Sequence, residues 1–353
     1  MNKLPLILAL TLLPLAALAQ PFGRREPPQW RTDDGTPFVH DPVMARGEDG
    51  KYYVFCTGMG VQVLSSPDLK EWSREPSVFT QAPEWAEQMI RGYRGHTWAP
   101  DISRHDGLWY LYYSCSTFGK NESAIGLAVN KTLDPTADDY GWQDRGLVIA
   151  SRRHKDCWNA IDPNLALDEE GQPYLVFGSF WDGIQLVRLS QEDLQTPLTE
   201  PRTIARRWNH AYTIEEVDNP QNFEIEGEDT IEAADNAIEA PFIIHRGEYY
   251  YLFVSQDYCC RGRRSTYRTV YGRSESIEGP YLDKEGTRMD EGGGTLLYGP
   301  DEQYYGIGHS AAYELDGQWL FLCHAYDKDT NGKAVLFLRT LSFDPQGWIV
   351  TER

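Results

Sequence analysis

The sequence predicts an all-β fold, a five-bladed β-propeller, and three features carry that prediction. Five strand-like runs, YYVFCTG, LWYLYYS, QPYLVFGS, EYYYLFVS and QWLFLCH, are rich in the aromatic and β-branched residues that suit pleated sheet. Each follows a two-residue turn ending in glycine, at Asp49-Gly50, Asp106-Gly107, Glu170-Gly171, Arg246-Gly247 and Asp316-Gly317, with intervals of 57, 64, 76 and 70 residues. Six to nine residues before each turn glycine stands an acid or a histidine: Asp41, Asp101, Asp162, Glu239 and His309. Repetition of this kind reads as radial repetition of one β-sheet unit. In a propeller every unit begins its innermost strand at the same rim of the central channel. Four carboxylates and one histidine would then converge on one funnel.

The elements follow in order. Lys3 precedes an apolar run from Leu4 to Leu18, interrupted by Pro5 and Pro14, and Ala17-Leu18-Ala19 forms a small-x-small cleavage signal. Residues 1–19 therefore read as a signal peptide cut after Ala19, and the chain as exported, either secreted or periplasmic. Pro21 to Pro37 is a polar leader. Unit one covers about Phe38 to Glu87, unit two Met89 to Ser151, unit three Asn159 to Ile204, unit four Asn236 to Gly286, and unit five runs from Gly294 to the end. No linker interrupts them, so residues 20–353 are expected to form a single domain. Short helices are expected around Pro83 to Ile90 and Gln191 to Leu194. Residues 206–235 form a long acidic insertion, including EIEGEDTIEAAD, of the kind that is either a functional loop or a solvated decoration.

Composition narrows the partners. A net charge of −20 repels phosphate backbones, so nucleic acid is not an expected partner. No long apolar run follows the leader, so no membrane span is expected. Aromatic residues make up 13% of the chain, enough to supply both strand packing and flat rings for stacking on sugars. Of six cysteines, Cys56, Cys115 and Cys323 fall inside strands as expected buried thiols. The adjacent Cys259 and Cys260 lack zinc-site spacing, and one bridge among the six remains open.

Paired carboxylates across a funnel match glycoside hydrolysis, which needs one acid for the leaving oxygen and one carboxylate to attack or to activate water. A third carboxylate nearby can hold the acid protonated by like-charge repulsion. Neither a G-x-S-x-G elbow nor an H-E-x-x-H helix is present, which argues against serine and zinc hydrolases.

The motifs HDPVM, TWAPDIS, STFGKNESAIGLA, NAIDPNL, FGSFWDGIQL, NAIEAPFI, CCRGRRSTYRTVYGRS and GIGHSAAY, in this order from Val39 to about Asp327, closely resemble the endo-1,5-α-L-arabinanases of glycoside hydrolase family 43. That family is built as five-bladed propellers and inverts anomeric configuration. The resemblance implies Asp41 as general base, Glu239 as general acid and Asp162 as the residue that orients Glu239 and tunes its pKa. It implies a base-to-acid separation of roughly 6.5–9.5 Å, with room for a water. It further implies arabinose contacts from His40, Trp98, Phe118, Gly119, Asn159, Ala160, Ser179, Phe180 and Trp181. His309 matches the histidine that holds a largely water-coordinated calcium ion on the axis, the oxygen-rich coordination that Ca²⁺ favours. Asp101 shares the spacing, yet the resemblance gives it no catalytic role, so it reads as a structural acceptor. Ile231-Glu232-Ala233 mimics Ile238-Glu239-Ala240 but lacks the following proline, strand and turn.

The expected activity is endo cleavage of linear arabinan or arabino-oligosaccharides by a monomer. The alternatives are an exo-arabinanase, an arabinofuranosidase or a xylosidase on the same fold, and a non-catalytic glycan-binding propeller. Ile307 stands where the family pattern places a proline, and the insertion is longer than compact family members carry. Folded over the funnel mouth, it would shift cleavage towards an exo mode.

Overall fold

Each aromatic-rich run becomes the second strand of an antiparallel sheet, and the apolar segment before its turn becomes the first. The computed structural model describes residues 29–218 and 236–351. The signal peptide, the first part of the leader, most of the insertion and Ile231-Glu232-Ala233 lie outside the described residues.

Blade one contains Val43–Arg46, Tyr52–Cys56, Gln62–Ser66 and Ser73–Glu75. Blade two contains His96–His105, Leu108–Cys115, Ser123–Asn130 and Gln143–Ser151, with Gly58–Met59 added on its inner edge. Blade three is Asn164–Leu167, Pro173–Phe177, Ile184–Arg188 and Arg202–Ala205. Blade four is Ile238–Arg246, Tyr249–Gln256, Arg268–Ser274 and Thr295–Tyr298. Blade five is Tyr304–Leu315, Gln318–Asp327, Lys333–Phe343 and Ile349–Val350. The first strand of every blade contacts the first strand of the next, and that of blade five contacts that of blade one. This closed ring of first strands makes the fold a five-bladed propeller.

Blades pack face to face through apolar residues. Tyr112, Ile125 and Leu127 of blade two meet Leu165, Leu175 and Val187 of blade three, and Val176 and Leu186 of blade three meet Ile243 and Leu252 of blade four. The ring is fastened at blade five by both ends of the described chain. Phe38 bridges Val335, Val39 N–H donates to Ala334 O at 3.2 Å, and Ile349–Val350 pair with Ser342 and Phe343 on the same strand. Radial closure of this kind leaves only short edges, one at the outer strand of each blade.

The turn reading holds closely in two hairpins. Asp106-Gly107 (φ 48° and 80°) and Asp316-Gly317 (φ 51° and 76°) have the doubly left-handed backbone of type I′ turns. The helix Glu84–Met89 forms where expected. Gln191–Leu194 is instead a single turn, closed by Leu194 N–H on Ser190 O and ended by Leu194 at φ 54°, which a helix cannot continue through. All six cysteines are unbridged; Cys56, Cys115 and Cys323 are buried. Among the described residues no helix is long and apolar enough to cross a membrane.

Candidate active site

The entrance to each first strand carries a residue in left-handed conformation that is not glycine: Asp41 (φ 53°), Ala99 (φ 40°), Asp162 (φ 58°), Ala240 (φ 54°) and His309 (φ 58°). Such a backbone costs about 1–3 kcal/mol per residue and persists only where the surroundings impose it. Here the surroundings are a repeated lock. The N–H of Asp41 donates to His324 Nδ1 (3.1 Å), that of Ala99 to Thr57 Oγ1 (2.8 Å), that of Asp162 to Ser114 Oγ (3.0 Å) and that of His309 to Ser255 Oγ (2.7 Å). Each acceptor lies at the end of the second strand of the preceding blade.

Blade four breaks the pattern. Ser179, the residue in the acceptor position, donates its hydroxyl to Glu239 Oε2 at 2.8 Å, and Ala240 N–H goes to Asp162 Oδ2 at 3.2 Å. A carboxylate has replaced a hydroxyl in the lock, and the freed hydroxyl holds Glu239.

This geometry corrects the register expected from sequence. The equivalent positions are Asp41, Ala99, Asp162, Ala240 and His309, so Glu239 sits one residue before its equivalent and Asp101 two after. Asp101 is consequently turned away from the cluster; its oxygens accept Leu165 N–H (2.8 Å) and Asn164 Nδ2 (3.3 Å). Burial pushes its pKa up to about 6, against those bonds.

Asp41, Asp162, Glu239 and His309 do come together. The two buried acids Asp162 and Glu239 and the imidazole of His309 are each less than a tenth exposed and interact electrostatically with one another. Asp41 Oδ1 contacts His309 Nδ1 at 3.1 Å and His40 Nδ1 at 3.2 Å, and Oδ2 accepts the Thr57 hydroxyl at 2.5 Å. Burial alone would raise the Asp41 pKa, but His309 and His40 outweigh it and hold the carboxyl well below the usual carboxylate range. The reciprocal effect acts on His309. Burial opposes its charging, and Asp41 overcomes this, raising its pKa to about 9.

A second layer of groups fixes His40. The N–H of Asp41 takes the lone pair of His324 Nδ1, so the His324 proton lies on Nε2, facing the Tyr326 hydroxyl at 3.2 Å. That hydroxyl also receives Cys260 N–H at 2.6 Å, which leaves its proton for His40 Nε2 at 2.9 Å. His40 must then carry its own proton on Nδ1, towards Asp41. Burial and the neighbouring His40 hold His324 well below the ordinary histidine pKa, so it stays neutral.

The Asp162 carboxyl is pushed well above the ordinary range by burial, aided by the charges of Glu239 and Asp41 and opposed by His309. Burial beside the like charge of Glu239 therefore favours a protonated Asp162. Glu239 is gripped at both oxygens, by Ser179 on Oε2 and by Tyr267 Oη on Oε1 at 2.8 Å.

The other expected contacts are less unified. Phe180 and Trp181 take left-handed backbone (φ 57° and 47°), with Phe180 N–H on Ile238 O and Trp181 O held by Asn236 Nδ2, so they flank Glu239. Asn159 is buried with Oδ1 lacking any partner, and Ala160 N–H is held by Ser151 Oγ. Trp98 Nε1 donates to His96 Nδ1 at 2.8 Å, and Phe118 is 81% exposed beside Gly119. Among the described residues, none of these last three hydrogen-bonds to the carboxyl cluster. Sequence reading missed Tyr267, His324, Tyr326 and Thr57. For Thr57 and His324 a signal was present, since Thr57, Ser114, Ser179, Ser255 and His324 follow their turn glycines by seven or eight residues.

The Ile307 departure also has a physical account, since its N–H donates to Tyr267 O at 2.8 Å, a bond that proline cannot make. His309 Nδ1 is committed to Asp41, which leaves Nε2 as its nitrogen for an ion. His40, Asp41 and His324 place ligand atoms within 4.8 Å of one another, but the relevant nitrogen of His324 is already taken by the Asp41 N–H.

Comparison with known proteins finds relatives over most of this chain. The extracellular exo-α-(1→5)-L-arabinofuranosidase ArbA of Cellvibrio japonicus is 44% identical over 313 residues, covering 88% of this chain and 85% of that protein. The extracellular endo-α-(1→5)-L-arabinanase 1 of Bacillus subtilis is 39% identical over 314 residues, covering 88% and 86%. The crystal structure of an exo-1,5-α-L-arabinanase from a bovine ruminal metagenomic library superposes with a TM-score of 0.82 at 52% identity, covering 92% of this chain and all of that one. Residues 35–349 match the glycosyl hydrolases family 43, and the chain belongs to that family.

Proposed function

We propose that this protein is an exported hydrolase of α-1,5-linked arabinan and arabino-oligosaccharides that works with inversion. The observation that carries the reading is the convergence of one histidine-held, ionised carboxylate, Asp41, with two buried carboxyls, Glu239, held by Ser179 and Tyr267, and Asp162, which burial and like charge favour in its protonated form. Asp41 takes a proton from water as its oxygen attacks the anomeric carbon. Glu239 gives its proton to the leaving glycosidic oxygen as the C–O bond breaks. Asp162 grips the N–H following Glu239 and, as it takes up negative charge, disfavours loss of the Glu239 proton. Two relatives are named extracellular, which supports export.

Sugar binding is assigned to His40, Trp98, Phe118 and the Phe180-Trp181 corner, with the unpartnered Asn159 Oδ1 as an acceptor for a sugar hydroxyl. The calcium ion implied by the resemblance would be held on His309 Nε2 with water completing its coordination, because Nδ1 is taken by Asp41, and its binding would displace the Nε2 proton. When bound it would supply positive charge on the propeller axis.

The mode is assigned as exo. The relatives at 44% and 52% identity are named as exo-acting, and that at 39% as endo-acting. The root of the insertion supports the same reading. Asp182, next to Trp181, holds Arg206 through two bonds of 2.8 Å and Tyr212 N–H at 2.8 Å, and Arg207 Nε reaches Asp257 at 3.0 Å beside Tyr258. The insertion thus starts from a wall fixed at one end of the sugar-binding corner. Deleting residues 219–235 tests this: a shift from short products to a spread of oligosaccharides supports the exo assignment through the insertion, and an unchanged profile removes the insertion from it.

A further inference from the structure

The carboxyl of Glu239 has a hydroxyl on each oxygen, and the two hydroxyls are chemically unlike. Ser179 is an alcohol that donates and accepts about equally well. Tyr267 is a phenol, a stronger donor and a weaker acceptor because its lone pair is shared with the ring. Burial, reinforced by the charge of Glu239, keeps that phenol protonated.

The placement of Tyr267 is built with care. It is fully buried and stacks on His324, with ring centroids 5.6 Å apart. Its ring lies where any side chain on the facing strand would stand: a Cβ on Gly308 would be 2.4 Å from Tyr267 Cδ1, and one on Gly306 would be 2.8 Å from Tyr267 N. The Ile307 N–H then clamps its carbonyl. Two glycines and one hydrogen bond in blade five therefore hold a blade-four tyrosine against the acid.

We propose that Tyr267 is a positioning residue for Glu239 that fixes Oε1 as the carbonyl oxygen and leaves Oε2, beside Ser179, as the oxygen that carries the transferred proton. This rests on Glu239 being the general acid. As the proton passes from Oε2 to the leaving oxygen, the carboxyl becomes an anion and the Tyr267 bond becomes charge-assisted and stronger. The interaction is therefore worth most in the transition state, where it raises kcat rather than lowering KM.

Acid catalysis matters less as the leaving group improves, and that gives the test. Turnover is measured on arabino-oligosaccharides carrying an aryl leaving group, from phenol to dinitrophenol, for the wild type, Tyr267→Phe and Glu239→Ala. Tyr267→Phe is expected to lower kcat on the phenyl substrate by roughly 10–100-fold with KM little changed, and to leave dinitrophenyl turnover within about threefold. An equal loss on both substrates, with Glu239→Ala still showing leaving-group dependence, overturns the role of Tyr267 alone. Equal loss on both for Glu239→Ala overturns the acid assignment itself. Replacing Tyr267 with a fluorinated tyrosine changes donor strength at nearly constant shape, which guards against a folding defect. Its effect should again be confined to poor leaving groups, and an effect independent of the leaving group overturns the proposal.

Discussion

At the scale of the residue, the site turns on how neighbours divide protons among three acids. Asp41 is kept ionised by His309 and His40, while burial and like charge favour the protonated form of Asp162 beside Glu239. Asp41→Ala and Glu239→Ala should each lower kcat on linear arabinan by roughly 10²–10⁴-fold while oligosaccharide binding persists, as measured by calorimetry. Asp162→Asn keeps an oxygen for Ala240 N–H but removes the negative charge with which Asp162 would oppose proton loss from the proposed general acid. The basic limb of the pH–rate profile should therefore move to lower pH, and an unmoved limb would show that Asp162 does not tune the acid. These three carboxylates were legible because Asp-Pro and Glu-Ala-Pro sit at strand entrances. Tyr267 was not, because nothing local distinguishes it from the other tyrosines of a tyrosine-rich chain; only the packing of blade five against blade four brings it to Glu239.

At the scale of the element, the five strand entrances show what spacing can and cannot convey. The turn glycines located all five blades, but the offsets to the preceding acid vary between six and nine residues and could not fix the register. Backbone conformation fixes it, and removes Asp101 from the funnel. The buried carboxyl of Asp101 then carries a consequence for stability. Its folded-state pKa of about 6 lies above the ordinary 3.8, so the folded state binds that proton more tightly. Its stabilising effect is complete below the unfolded pKa and is lost as pH rises through about 6, a loss on the order of 3 kcal/mol at most. Asp101→Asn, which retains an oxygen for Leu165 N–H, should raise Tm relative to the wild type increasingly between pH 4 and 7. A Tm difference independent of pH would mean that Asp101 titrates normally. The short turn at Gln191–Leu194 marks the opposite limit, since four residues of helical composition do not determine a helix without packing to hold it.

At the scale of the whole molecule, the propeller positions the site by closing its ring. Asp41 and His324 belong to the first and last blades, yet the N–H of one rests on the ring of the other, so closure and the general base are one structure. Val39→Pro removes the bond to Ala334 O at this seam and should cost roughly 1–3 kcal/mol by denaturant unfolding, with a parallel loss of activity. Stability lost without activity would separate the seam from the site. The repeat foretold the five blades, but not that both ends of the described chain would fasten the fifth, because those segments are too short to carry a period of their own.

The most direct test of the account is a time course of product lengths released from debranched linear arabinan by the wild type and by Glu239→Ala. The account predicts short products of uniform length from the first time points and almost none from the variant. An early spread of intermediate oligosaccharides would contradict the exo assignment, and no release of arabinose-containing products by the wild type would contradict the proposed function as a whole.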